Sequence, residues 1–191
     1  MVWDSRSLSY YKVFRLISKL ISSGAIGEGR FEPPNVSTPE EKFIVPYQRN
    51  HKFTGRCNLL SVLRSRLCCE KVRAWNHRIA LYGLGGVGKT QLALEYVHSQ
   101  KDIYDRIYWI SAASEEALIS GFRQIASQTH WVHQKASLQP KDVVAVVLNQ
   151  LRQRENWLMV FDNLDDFELL DNCLPDVGIN KHTLITTRNP N

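Results

Sequence analysis

Residues Gly83 to Thr90 read Gly-Leu-Gly-Gly-Val-Gly-Lys-Thr, a full match to the pattern G-x-x-x-x-G-K-[ST]. The chemistry such a run can do is phosphate binding. Gly83, Gly85, Gly86 and Gly88 let the backbone take positive φ and approach a ligand with no Cβ in the way. Successive N–H groups, including those of Val87 and Gly88, can then converge on phosphate oxygens at the positive end of the helix that follows. Lys89 supplies a point charge for the β- and γ-phosphates, Thr90 a hydroxyl for Mg²⁺, and Gln91 comes next on the helix. A Gly-rich turn with a stray lysine is the bland alternative, and the flanking pattern disfavours it.

Two further residues extend the chemistry. Leu158-Met159-Val160-Phe161 ends on Asp162, and a carboxylate at the carboxyl end of a parallel strand sits in the crevice where ligands bind. It can reach Mg²⁺ directly or through water. Asp is also common in turns, but a separation of some 70 residues from the loop with a helical segment between favours the metal role. Arg188 follows the strand candidate Thr183–Thr187, where its planar fork could sense a terminal phosphate. A solvated arginine reads almost as well there.

The elements that must hold these residues alternate. Ile79-Ala80-Leu81-Tyr82 is expected to be a buried parallel strand. Leu92, Ala93, Tyr96 and Val97 recur at helical spacing after the loop. Arg106–Ser111, Trp157–Phe161 and Thr183–Thr187 read as further strands; Ser114 onward and Lys141–Arg152 read as helices. The expected fold is therefore α/β, a parallel sheet of about four strands with flanking helices. Leu59, Leu60, Leu63 and Leu67 mark one more helix before the loop. Met1 to about Ser23 has amphipathic spacing with few acids. It carries some flavour of a mitochondrial presequence, although a helix docked on the domain or belonging to an upstream module is preferred. Residues 24–46, with four prolines and three glycines, read as a linker, leaving 47–191 as the folded domain.

Composition sets bounds. The 191 residues are 43% hydrophobic and 23% charged, globular values with no apolar stretch of membrane-spanning length. The cysteines at 57, 68, 69 and 173 lack C-x-x-C spacing, which suits reduced thiols and a cytoplasmic setting. The net charge of +5 is unevenly spread: Tyr47–Arg78 has eight Lys or Arg and one acid, Glu155–Asp176 seven acids and no base. That distribution suits a site for phosphates and a divalent cation at least as well as nucleic acid.

The set Phe53-Thr-Gly-Arg56, Gly83–Thr90, Tyr108-Trp-Ile-Ser-Ala112, Leu158-Met-Val-Phe-Asp-Asn163 and Leu184-Ile-Thr-Thr-Arg188 resembles the NB-ARC domain, the switch module of STAND-class P-loop NTPases found in NOD-like receptors. Asn163 with Asp165-Asp166 is similar to fungal versions. The resemblance implies a site for ADP or ATP with Mg²⁺. In it Phe53, Gly55 and Arg56 contact adenine, largely through backbone. Lys89 and Thr90 take phosphate and metal, Asp162 coordinates or orients the metal, and Arg188 reports the γ-phosphate. It also implies a signalling switch that rests with ADP, with homotypic oligomerisation as the expected partnership.

Two departures shape the expectation. Many relatives have a second acid after the Asp162 position, whereas Asn163 cannot act as a base and only Asp165 or Asp166 could substitute, so any ATPase activity is expected to be weak or absent. The family's fifth strand, small helical domain and winged helix have no counterpart after Arg188 in these 191 residues, so the chain reads as a fragment with a bare strand at Ile79–Tyr82 and weak nucleotide affinity. The competing classes are a small-molecule kinase, which would want a substrate pocket and an arginine-bearing lid, and a nucleic-acid-dependent ATPase, which the basic stretch would serve. An inert pseudo-domain also stays open.

Overall fold

The computed structural model describes residues 39–67, 77–132 and 138–190. The chain divides into Met1–Val36 and Ser37–Asn191, and every described residue belongs to the second unit. The helix expected over Met1–Ser23 and the first part of the expected linker lie outside the described residues.

Five parallel strands form one sheet in the order β1-β3-β4-β5-β2: β1 Phe43–Ile44, β2 Arg78–Tyr82, β3 Arg106–Ser111, β4 Trp157–Asp162 and β5 Lys181–Thr187. The helices are α1 Pro39–Lys42, α2 Cys57–Leu67, α3 Lys89–Ser99, α4 Glu115–Gln128 and α5 Pro140–Arg152, with a 3-10 turn at Phe167–Leu170. Side chains alternate across the pleat, so each inner strand feeds two cores. Ile107, Trp109, Leu158, Val160 and Leu184 point to one face and meet Leu63 and Leu67 of α2 and Leu92, Ala93, Tyr96 and Val97 of α3. Tyr108, Ile110, Met159, Phe161 and Ile185 point to the other and meet α4 and α5 through Leu118, Phe122, Ile125, Val144 and Val147. Three layers result, with the sheet in the middle.

The sequence expectation changes at both edges. The linker reading of 24–46 fails at its end, because Phe43–Ile44 pairs in parallel with β3 at Phe43↔Ile107 and Ile44↔Tyr108. Apolar residues decide it: Ile44 is 3% exposed against the α4–α5 core, which outweighs the surrounding prolines and glycines. The sheet therefore has five strands, not about four. At the opposite edge, Ile79 and Leu81 pack against the α2–α3 core, while Arg78, Ala80 and Tyr82 are exposed. The strand expected to be buried on both faces is half-buried, because its second row is a charge, a methyl and a tyrosine, with little apolar surface to cover.

Local signals fix the helix ends that matter. Ser114 caps α4 by accepting the Ala117 N–H at 3.3 Å, and Pro140 opens α5, where its missing N–H costs nothing. Helix α3 is different. Its N-cap is Gly88 at φ 85°, ψ 29°, and no side chain caps it. Its first N–H groups are left to point out of the helix toward the sheet's carboxyl end.

Candidate functional site

The phosphate loop leaves β2 at Tyr82 and enters α3 at Lys89, and two glycines make the turn. Gly86 at φ 78° and Gly88 at φ 85° hold left-handed backbone that a side chain rarely adopts. Gly88 also has a neighbour: a Cβ there would stand 3.2 Å from the Arg56 guanidinium. The start of the loop is tied to the sheet by the Gly83 N–H, which donates to the Thr187 carbonyl at 3.3 Å. Lys89 Nζ donates to the carbonyls of Gly83 and Leu84 at 2.7 and 2.9 Å, so the lysine lies along the inside of the loop.

Asp162, at the end of β4, is 7% exposed. Its Oδ1 accepts two hydroxyls, Thr90 Oγ1 at 2.8 Å and Thr186 Oγ1 at 2.6 Å. Among the described residues no cation stands within ion-pair distance of it. A buried carboxylate beside a hydroxyl is a donor set that could hold Mg²⁺, which takes one or two carboxylates and fills its remaining positions with phosphate and water. The described residues contain no cluster of three or more His, Cys, Asp or Glu that would suit another metal.

The chain turns sharply after β4. Asn163 sits at φ 62°, a conformation Asn tolerates better than most residues, and its N–H donates to Thr186 Oγ1 at 2.9 Å. Arg188 follows β5. Asp165 accepts its main-chain N–H at 2.8 Å and its Nε at 2.6 Å, and Nη2 closes the ion pair. These bonds from Arg188 hold the Asp165 carboxyl below the usual carboxylate range, and the same contact raises the arginine's own value.

A pocket of about 490 Å³ collects these parts, lined by Gly85, Gly86, Gly88, Lys89, Thr90, Gln91, Asn163, Thr186 and Arg188. Of the expected residues it brings together Gly85, Gly86, Gly88, Lys89, Thr90, Gln91 and Arg188; Gly83 and Val87 are outside the lining, and Asp162 touches it only through Thr90 and Thr186. Phe53, Gly55 and Arg56 stand outside that lining. Phe53 packs against the α2–α3 core, Gly55 turns the chain at φ 75°, and Arg56 reaches the loop with its side chain, donating Nη2 to the Val87 carbonyl at 2.6 Å.

Four residues were missed by the sequence reading. Thr186 bonds both Asp162 and the turn after it; only its place beside Arg188 in a β-run hinted at this. Asp165, which the sequence offers only as a substitute for the missing second acid, instead pairs with Arg188. Arg49 and Asn50 strap the segment before Phe53 to α3, through Arg49–Glu95 at 2.7 Å and Asn50 Nδ2 to Gln91 Oε1 at 3.0 Å. Nothing in the sequence pairs residues that far apart.

Strand, phosphate loop and helix on a parallel sheet, with an acid at the end of a second strand, define a P-loop nucleotide-binding fold. The NB-ARC domain profile matches residues 62–191, more than half of the chain. The chain belongs to the NB-ARC family, the nucleotide-binding module of NLR-like proteins. It is 33% identical over 132 residues to a nucleotide-binding leucine-rich repeat (NLR)-like protein of Hyaloscypha variabilis, covering 67% of this chain and 13% of that one. It is 28% identical over 119 residues to an Arabidopsis thaliana chain classed with disease resistance proteins, covering 60% of this chain and 13% of the relative. The chain thus spans about an eighth of the length of the curated relatives it matches. Among solved structures, Cdc6p from Pyrobaculum aerophilum superposes with a TM-score of 0.49 at 17% identity, over 76% of this chain and 42% of that one. The ORC2 protein of Aeropyrum pernix gives 0.41 at 16%, over 69% and 39%. Among the described residues no helix is long and apolar enough to cross a membrane.

Proposed function

We propose that this chain is the ADP- and ATP-binding module of a STAND-type signalling switch, and that it hydrolyses ATP weakly or not at all. The observation that carries the reading is the uncapped start of α3 facing a pocket that also holds Lys89, with the Thr90–Asp162 pair beside it. Helix N–H groups and a lysine favour the polyphosphate, and the hydroxyl–carboxylate pair suits its Mg²⁺. Magnesium, when bound, neutralises phosphate charge there. Thr90 and Asp162 are the residues that would hold it.

Arg188, on the pocket wall, is the reporter of the terminal phosphate. Asn163 lines the same pocket where a base would be wanted, and an amide takes no proton from water. Asp165 has its carboxyl engaged by Arg188, which supports slow hydrolysis. The preference for adenine rests on family membership.

Calorimetry with ADP, ATP and GTP, with and without Mg²⁺, tests the proposal. Adenine nucleotides should bind, Mg²⁺ should strengthen ATP, and GTP should be weaker. Lys89→Ala should weaken both adenine nucleotides at least about tenfold while the far-ultraviolet spectrum is kept, the loss of one charge-assisted contact. Equal affinity in native and Lys89→Ala protein would remove the phosphate loop from the binding reaction.

A further inference from the structure

Asp165 belongs to no phosphate-binding pattern, yet it holds Arg188, an arginine on the pocket wall, by two separate routes. Oδ1 accepts the main-chain N–H of Arg188 at 2.8 Å, and Oδ2 accepts Nε at 2.6 Å with Nη2 beside it. The next residue is bound in as well, Asn189 Nδ2 donating to the Asp165 carbonyl at 3.2 Å. The arginine's stem meanwhile lies against the phosphate loop: a Cβ on Gly85 would come to 3.8 Å from Arg188 Cδ. The guanidinium is therefore beside the pocket with one edge of its fork already committed to a carboxylate.

Two anions that need the same edge of one guanidinium compete. A diphosphate would leave the Asp165–Arg188 pair intact. A triphosphate that recruits Arg188 must take it from Asp165 or share it at a cost in like-charge repulsion. The main-chain bond from Arg188 to Oδ1 need not break when the side chain leaves, so the end of β5 stays fixed and the side chain alone moves.

We propose that Asp165 is a positioning residue that sets nucleotide preference, holding Arg188 away from the terminal phosphate and biasing the site toward the diphosphate. This rests on the reading of the pocket as a nucleotide site. Removing the carboxylate's charge frees Arg188 for the third phosphate, so ATP gains more than ADP.

The experiment uses the full 191-residue chain, with ADP and ATP affinities measured by calorimetry in Mg²⁺ for native, Asp165→Asn, Asp165→Glu, Arg188→Ala and Asp165→Asn/Arg188→Ala proteins. Asparagine keeps an oxygen for the Arg188 main-chain N–H and removes only the charge. The ATP-to-ADP affinity ratio should rise about three- to fivefold in Asp165→Asn, the upper scale of one exposed charge pair. Asp165→Glu should return the ratio toward native, and in the Arg188→Ala background Asp165→Asn should change nothing. Asp165→Ser replaces asparagine if that variant does not fold. A ratio within twofold of native, a selective loss of ATP affinity, or the same gain without Arg188 would each overturn the proposal while the pocket kept its nucleotide. A native chain that binds neither nucleotide would overturn the pocket reading and this one together.

Discussion

Replacing Asp162 by Asn should separate what this carboxylate does for the fold from what it does for the ligand. Both hydroxyls that touch it donate to Oδ1, from Thr90 at 2.8 Å and Thr186 at 2.6 Å. Asparagine can present an oxygen at that position, so both bonds survive as neutral ones. Losing the charge assistance costs about 1 kcal/mol per bond, or about 2 in all. Against this stands the cost of keeping an ion at 7% exposure with no cationic partner among the described residues. That cost is several kcal/mol for a fully buried ion and less at a pocket rim, roughly 2 here. The two offset, and ligand-free Asp162→Asn should match native stability within about 1 kcal/mol. Ligand changes the outcome. A native chain at a Mg-nucleotide concentration of about 100 times Kd gains about 2.7 kcal/mol. If Asp162 holds the metal, the variant binds at least about tenfold more weakly and gains about 1.4 kcal/mol or less at the same concentration. Urea denaturation with and without Mg-ADP measures both numbers. An unchanged Mg-dependent gain would refute the metal assignment. A ligand-free loss above about 3 kcal/mol would refute the balance of charge assistance against desolvation.

Two further outcomes follow from packing and burial. A Cβ on Gly121 would stand 2.7 Å from Ile110 Cγ2, where α4 crosses β3. Because Ile110 is fully buried and three of its atoms crowd the site, Gly121→Ala should lose about 2–3 kcal/mol to overpacking, exceeding the gain of about 1 from helix propensity; a urea midpoint at or above native would contradict that contact. His182 is buried, accepts or donates at 2.6 Å with Tyr104, stacks on His77 at 5.3 Å, and has its pKa pushed down to about 4, chiefly by burial. The folded chain thus holds His182 neutral where the unfolded chain protonates it, so its contribution is present above about pH 6.5 and is lost as pH falls toward about 4. His182→Gln should flatten that part of the stability profile, and superimposable native and variant profiles would show that the histidine contributes nothing to it.

Legibility in the sequence tracked how local the cause was. The loop could be read because Gly86 and Gly88 must take positive φ and α3 must begin uncapped, demands that fall on adjacent residues. The inner strands could be read because burial on both faces leaves continuous apolar runs such as Leu158–Phe161. The edges could not. At Phe43–Ile44 the strand is only two residues long and sits among turn formers; at Arg78–Tyr82 an apolar-looking run conceals one exposed row. The contacts missed at the site share a physical reason. Thr186 to Asp162 and Asp165 to Arg188 join residues at the ends of two neighbouring strands, and strand order is invisible until the sheet is assembled.

That strand order ties the parts of the site to one strand. Strand β5 lies between β4, which carries Asp162, and β2, which launches the phosphate loop. Its last residues touch both neighbours and the turn beyond β4. Thr186 bonds Asp162 and the Asn163 N–H, the Thr187 carbonyl accepts Gly83, and Arg188 holds Asp165. The Asp162 carboxylate, the root of the loop and the turn beyond β4 are therefore fixed to three consecutive residues, Thr186, Thr187 and Arg188. Movement of the Arg188 side chain alone leaves the bonds of Thr186, Thr187 and the Arg188 main chain in place; movement of its main chain would break the one to Asp165 Oδ1. The Oδ1 bond from Asp165 to the Arg188 main-chain N–H decides between the two cases, which makes that bond, more than the ion pair beside it, the one that keeps the site's geometry constant while its charge changes.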